Sequence, residues 1–387
     1  MKLALLMGNR YNPWHLQGFS RLRQSPKITA FRAESQIQDH FDERGDGTEW
    51  MARERIYFDT QAGGALRQRI NIFRERYRNR TPRVLPFAER LQGFDIVHSW
   101  ELFTDWSESA AVAREDYKIP LVITVWDLLP FNMEREPWRR AVKKRVAAAA
   151  DRVVAYTERT RAMLAFEGVR ADRITYIPPG VDTERFSPGT APRAFGLQGD
   201  DIVILFVGWF VPRKGIDFLL FALRKLIDES GVNGKRIKLL IVGSGAGQER
   251  VEGLIARLGL EAHCIITGAL TYEQMPSIFR SADLFVLPSV ASDEWQEQFG
   301  MSLIEAMATG KPCIATLSGA IEEIAGDAAL LVQPNDFLAL HRALRRLLQN
   351  TDERVRLGAE GRARARRLFD VNLQASALSD LYDSLML

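Results

Sequence analysis

Two glutamates eight positions apart, Glu297 and Glu305, bracket a Phe-Gly pair in EQFGMSLIE (297–305). Paired carboxylates are the equipment of glycosidic hydrolysis, so that chemistry is the first to test. A continuous helix over this stretch would separate the two by about 12 Å and turn them roughly 80° apart. Hydrolytic pairs need carboxyls about 5–5.5 Å apart for retention and no more than about 9.5 Å for inversion. The spacing argues against cleavage. A loop ending at QFG, with a helix from Gly300 through MSLIEAMATG stopped by Gly310 and Pro312, fits better. Glu297 then precedes the helix and Glu305 lies about one turn inside it. The N–H groups of Phe299, Gly300 and Met301 are left to face an anionic or oxygen-rich ligand. A surface charge at 297 and a plain helix-face residue at 305 remain an equal alternative.

Other residues could serve the same ligand. In VPRKGIDFLL (211–220), Arg213 and Lys214 stand at a strand-to-helix crossover just after Gly208, a place that suits phosphate or a solvated basic turn. IVGSGAGQE (241–249) carries Gly243, Gly245 and Gly247 after a strand, which fits close approach to a nucleotide, including a dinucleotide, or an ordinary tight turn. His98 is placed near a strand's carboxyl end in DIVHSWE, as a functional or a structural histidine. Trp100 and Trp126 end strands, where their faces suit either sugar rings or core packing. The stretch 65–83 carries seven arginines on a helical pattern. It reads as a solvated basic helix or as one drawn to an anionic membrane surface or lipid-pyrophosphate acceptor. No nucleic-acid motif accompanies it. P-loop, Gly-x-Ser-x-Gly and His-Glu-x-x-His patterns are missing, and the missing Asp-x-Asp counts against a metal held by that pairing.

The elements that must hold these residues recur along the chain. Apolar runs bounded by turn residues fall at 2–8, 95–100, 121–127, 152–157 and 173–180, then at 202–208, 237–243, 264–268, 284–289, 312–316 and 328–332. Runs rich in Val, Ile and Leu suit strands buried on both faces, and helical patterns lie between them. The expected class is α/β, with two doubly wound parallel-sheet, Rossmann-like domains facing across a cleft. A Pro/Gly-rich break at 177–201 divides them, giving domains over 1–178 and 179–370, with a last helix over 371–387 returning to the first. A chain of 387 residues fits two such cores. Charge is uneven: residues 1–190 hold 31 Lys and Arg against 25 Asp and Glu, and the remainder 21 against 24, which suggests different ligands for the halves. Cys264 and Cys313 read as buried free thiols of a reducing cytoplasm. The apolar start MKLALLMG reads as a strand, and no run is long enough to span a bilayer.

Taken in order, YIPPGVDTERFSP, LFVGWFVPRKGIDFLLFAL, LLIVGSGAGQE, IITGALTYEQMPSIFRSADLFVLPS and EQFGMSLIEAMATGKPCIATLSGAIEEI resemble the retaining nucleotide-sugar glycosyltransferases of the GT-B fold, most closely glycosyltransferase family 4. FDIVHSWE, PLVITVWDLLP and ADRVVAYTERTRAML resemble it less distinctively. The resemblance implies a first domain for the acceptor (glycan, lipid-linked or small molecule) and a second for the donor. It implies that Glu297 bonds hydroxyls of the transferred sugar and Glu305 the nucleotide ribose. The N–H groups of Phe299, Gly300 and Met301 would bind further hydroxyls and phosphate, while Lys214 and Arg213 neutralise the leaving diphosphate without a metal. By position it adds His98 and Asp127 to the catalytic set, Gly208, Gly243, Gly245 and Gly268 to the donor site, and Trp100, Trp126 and Asn9 to the acceptor side.

The chain also departs from the pattern. Trp209 follows Gly208 where many relatives have an Arg, and Trp126 stands where relatives often have a His. Trp100 occupies the place of a second His of some members. The usual Gly-Gly turn after the first strand is replaced by MGNRYNPW. Beside a cytosolic transferase, free or peripheral to the inner face of the membrane, stand two alternatives. One is a nucleotide-sugar-binding protein that has lost transfer; the other is an NAD-linked oxidoreductase.

Overall fold

The computed structural model describes residues 1–8, 13–33, 51–57, 83–229 and 236–386. Asn9 and positions 65–82 of the arginine-rich stretch lie outside these residues. Contacts divide the chain into two units, Met1–Pro178 with Gln374–Leu387, and Pro179–Leu373.

The first unit is built on a parallel sheet with seven strands among the described residues. They are β1 (Lys2–Gly8), β2 (Lys27–Ala33), β3 (Ala52–Ile56), β4 (Ile96–Trp100), β5 (Leu121–Val125), β6 (Arg152–Ala155) and β7 (Ile174–Tyr176), in the order β3-β2-β1-β4-β5-β6-β7. Pairing is in register along the central strands: Leu3 faces Ile96 on one side and Ile28 on the other. The central strands bury apolar side chains on both faces. Ala4, Leu6, Val97 and Ile123 pack into one layer, and Leu3, Leu5, Ile96 and Val122 into the other. That two-sided burial is why these segments read as continuous apolar runs.

Leu378, Leu381 and Tyr382, from the helix Val371–Met386, belong to the second of those layers. Polar contacts fasten the same helix: the Arg23 N–H donates to Ser379 Oγ at 3.1 Å, and the Arg23 guanidinium pairs with Asp380 and Asp383.

The second unit repeats the winding with six strands among its described residues: β8 (Ile202–Val207), β9 (Ile237–Val242), β10 (Cys264–Gly268), β11 (Leu284–Leu287), β12 (Cys313–Thr316) and β13 (Leu330–Val332). Their order is β10-β9-β8-β11-β12-β13, all parallel. The helix Ile216–Asp228 turns Leu219, Leu220, Leu223 and Leu226 onto one face with the helix Phe337–Gln349 beside it. The direction of strand progression reverses between β8 and β11. In open α/β sheets that switch point, at the carboxyl ends, is where ligands bind. Both cysteines are free; Cys313 is buried, but Cys264, on an edge strand, is only half-buried.

Candidate functional site

At the switch point of the second unit, chain leaves β8 through Gly208 and a single 3-10 turn, Pro212–Lys214, before the helix Ile216–Asp228. Gly215 makes that exit feasible. It has φ of +66°, and a Cβ there would lie 1.9 Å from the Pro288 carbonyl oxygen, so no other residue fits without displacing backbone. The loop after β8 is thereby pressed against the loop after β11. The Val290 N–H donates to the Arg213 carbonyl at 2.8 Å across the same junction.

This packing brings Lys214 onto Glu297, 83 positions away. The ammonium lies 3.0 Å from Oε1 and 2.8 Å from Oε2. The Ser289 hydroxyl donates to Oε2 at 2.5 Å. Glu297 is 5% exposed, so its charge is held by partners more than by water. Its backbone is fixed as well: its N–H donates to Ser318 Oγ at 3.2 Å, and its carbonyl accepts from Ala320 N–H at 2.9 Å. Gly319 closes the turn beneath it with φ of +59°, where a Cβ would come within 2.2 Å of the Glu297 carbonyl oxygen. Trp295 covers the cations. Its ring centre lies 4.7 Å from the Arg213 guanidinium carbon and 5.2 Å from Lys214 Nζ, distances at which an aromatic face attracts a cation.

The helix Met301–Ala308 starts directly after this turn, with Gly300 left-handed at its N-cap and no side-chain cap. The first N–H groups of such a helix have no intrahelical acceptor. Phe299 is buried edge-on against Phe369, with ring centres 5.5 Å apart. Glu305, the fifth residue of the helix, is buried. Burial pushes its carboxyl up to about 8, against the opposing pull of a hydrogen bond from Tyr272 and of the Arg185 charge. Arg185 lies 4.9 Å over the Tyr272 ring, and the Tyr272 hydroxyl is raised well above its ordinary value by burial and the Glu305 carboxylate.

Three of the expected donor glycines sit side by side at adjacent strand ends. Gly208 N–H donates to Val242 and Gly243 N–H to Gly268. A Cβ on Gly243 would meet the Gly208 carbonyl at 2.0 Å, and one on Gly245 would meet Phe210 backbone at 2.9 Å. The Gly243–Gly247 turn therefore packs closely against the loop that carries Arg213 and Lys214.

The expected residues of the first unit are placed differently. His98 is the central residue of β4, not its end, and is fully buried. Nδ1 lies 2.5 Å from the Tyr382 hydroxyl and Nε2 2.6 Å from Thr124 Oγ1, while the ring stacks on Trp100 at 4.4 Å. Burial holds its pKa down at about 3. Both nitrogens are engaged, as a structural histidine requires: Nδ1 ties the last helix to the sheet and Nε2 ties β4 to β5. Trp100 is buried in the same aromatic layer, with Phe19 5.5 Å away. Trp126 lies between His15, at 4.6 Å, and Tyr156, at 6.2 Å. Both indoles are packed rather than presented as open faces. Asp127 turns Oδ1 back on its own loop, accepting from Leu128 N–H at 2.8 Å and Leu129 N–H at 3.1 Å, and burial raises its carboxyl. Arg83, the one described residue of the arginine-rich stretch, pairs with Asp105 and Glu108.

Sequence reasoning overlooked Ser289, Trp295, Ser318 and Tyr272 in the second unit and Glu101 in the first. Glu101, with φ of +64°, accepts the N–H groups of Trp126 at 2.9 Å and Asp127 at 3.2 Å. Ser289 and Tyr272 lie within stretches already marked by their order, LFVLPS and TYEQMPSIF, but a lone hydroxyl carries no spacing signal. Among the described residues no helix is long and apolar enough to cross a membrane.

The chain is similar to known proteins. The pattern of the glycosyl transferases group 1 matches residues 190–364, and that of Glycosyltransferase Family 4 matches residues 41–185. A D-inositol 3-phosphate glycosyltransferase of Nocardia farcinica is 33% identical over 298 residues, 72% of this chain; the match spans 64% of that relative, less than two thirds of its length. One of Xylanimonas cellulosilytica is 30% identical over 320 residues, 76% of this chain and 73% of that one. Among solved structures, Anabaena HepE in complex with UDP superposes with a TM-score of 0.77 over 99% of this chain and 100% of that one, at 18% identity, a likeness of fold. With two parallel-sheet units, both patterns in chain order and these relatives, the chain belongs to glycosyltransferase family 4, the glycosyl transferases group 1 with the GT-B fold.

Proposed function

We propose that this protein is a retaining glycosyltransferase that moves a sugar from a nucleoside-diphosphate sugar to a hydroxyl acceptor without a metal. The observation that carries the reading is the Lys214–Glu297 pair at the switch point, with Arg213 beside it and a helix N-terminus following. Lys214 and Arg213 neutralise the leaving diphosphate, and the N–H groups of Phe299, Gly300 and Met301 add fixed dipoles toward sugar and phosphate. Glu297 accepts from hydroxyls of the transferred sugar. Glu305 meets the ribose, and Gly208, Gly243, Gly245 and Gly268 let the nucleotide approach backbone. The bond from the anomeric carbon to the diphosphate oxygen breaks, and one to the acceptor oxygen forms on the same face. The acceptor proton passes to the departing diphosphate, so no protein base is required. Asp127 and Trp126 border the acceptor through their loop, while His98 supports it from within the sheet.

The relatives' names make a phosphorylated cyclitol the first acceptor to try, and UDP, in the HepE complex, the first nucleotide. The test is incubation with UDP-, GDP- and ADP-sugars and a panel of acceptors including inositol 3-phosphate, read by product mass and anomeric configuration. A product with the donor's configuration, formed in excess chelator, is expected. Tight nucleotide binding with no transfer across the panel would support a binding protein instead, and an inverted product would refute the stereochemistry.

A further inference from the structure

We infer that Ser289 is the positioning residue that keeps Glu297 aimed at the donor sugar once the diphosphate engages Lys214. This rests on the function proposed above. A lysine ammonium has three N–H donors. Lys214 lies within hydrogen-bond distance of both oxygens of Glu297. Binding a diphosphate through more than one donor therefore requires it to yield a contact to the carboxylate. Lys214 is attached by a long flexible stem and its side chain is 17% exposed, so it can make that exchange.

Ser289 cannot follow it. The residue is fully buried directly after Pro288, and its carbonyl accepts from the Thr316 hydroxyl on the neighbouring strand. The Pro288 carbonyl is itself pressed against Gly215. The hydroxyl, 2.5 Å from Oε2, is thus carried on backbone that does not move with the Lys214 side chain. It marks Oε2 as the anchored oxygen and leaves Oε1, which Lys214 alone of these two contacts, for the sugar hydroxyls. Without it, a released carboxylate would rotate about its last bonds and present no fixed acceptor. The two jobs are therefore divided: Lys214 exchanges partners during binding, and Ser289 preserves the geometry.

The experiment compares wild type, Ser289→Ala and Ser289→Thr. Calorimetry gives affinities for UDP, GDP and ADP and for UDP-glucose, GDP-mannose and ADP-glucose; kcat and KM are taken with the donor that turns over, and melting temperature is recorded. Ser289→Ala should bind the nucleoside diphosphate as wild type does, lose the increment in affinity contributed by the sugar, and fall about 10- to 100-fold in kcat, the range for a hydrogen bond to a charged group. Ser289→Thr, which keeps the hydroxyl, should recover most of that. Should the added methyl prevent folding, seen in its melt, the sugar-dependent affinity of Ser289→Ala decides. An unchanged sugar increment and kcat in Ser289→Ala overturns the role. So does a loss that falls equally on free nucleotide and tracks the melting temperature. A wild type that binds neither nucleotide nor sugar nucleotide overturns the proposed function and this role with it.

Discussion

Glu305→Gln should make the second unit less sensitive to alkali, and the structure sets the size of the effect. In the folded chain the Glu305 carboxyl titrates at about 8, against 4.5 for an exposed glutamate, because burial opposes its charge. Between those values the folded state keeps the proton while the unfolded chain releases it. Stability from this group is complete below 4.5 and is lost as pH rises through 8, at up to about 1.4 kcal/mol per pH unit. From pH 6 to 7.5 the loss is about 2 kcal/mol. In a unit of this size, 1 kcal/mol moves the melting temperature by about 2–4 °C. Glutamine keeps the shape and can still accept from Tyr272, but it does not titrate. The assay is calorimetric melting of both proteins from pH 5.5 to 8.5 at constant ionic strength. Wild type should lose about 4–8 °C relative to Glu305→Gln between pH 6 and 7.5. Two curves that stay parallel within a degree would refute the claim that burial governs this carboxyl. If Glu305 meets the ribose as a carboxylate, nucleotide binding at pH 7 should also release a proton, seen as a binding enthalpy that varies with buffer ionisation heat.

The first unit should show the opposite dependence. With His98 held at about 3 against 6.5 unfolded, its contribution is intact above 6.5 and lost toward 3 at up to about 1.4 kcal/mol per pH unit; His98→Gln should remove that slope in acid melts. Glu297→Ala should lower kcat at least about 100-fold while leaving free nucleotide affinity nearly intact; equal loss of both in titration calorimetry would contradict its role toward the sugar. Lys214→Ala should weaken a nucleoside diphosphate more than the nucleoside, and it should destabilise the unit by about 3 kcal/mol because it strands the buried Glu297 carboxylate. Gly319→Ala should cost about 2 kcal/mol in thermal melts for its left-handed backbone alone, and it should lower kcat by displacing Glu297.

The sheets were legible where a strand's sequence is a continuous apolar run, and illegible where charged or polar residues interrupt it. Eleven apolar runs correspond to strands, but β2 and β3 were overlooked. β3 reads ARERI and is an edge strand with its charges in water, where Arg90 pairs with Glu54 and bonds the Arg55 carbonyl. Edge position removes the burial that makes a strand visible as composition. β2, KITAFRA, is largely buried but interrupted by Thr29 and Arg32, so its apolar run is too short to stand out. The helix start at Met301 followed from Gly300, whose left-handed backbone a glycine signals directly.

Side-chain partnerships at the site belong to another class of information. Local spacing could show that Glu297 precedes a helix and that Lys214 follows a strand, yet not that they meet, since 83 residues separate them. Their meeting is a product of strand order: β8 and β11 become neighbours only because the sheet reverses direction there. Long-range partners also explain why His98 was misplaced. Its neighbours in sequence suggested a strand end, but its ring is captured by Tyr382, 284 residues on, and by Thr124 on the adjacent strand. A titratable group is functional or structural according to what the topology stacks on it. At β4 it stacks a helix and closes both nitrogens. At the β8–β11 switch it stacks two loops that leave Lys214 partly exposed and able to change partners.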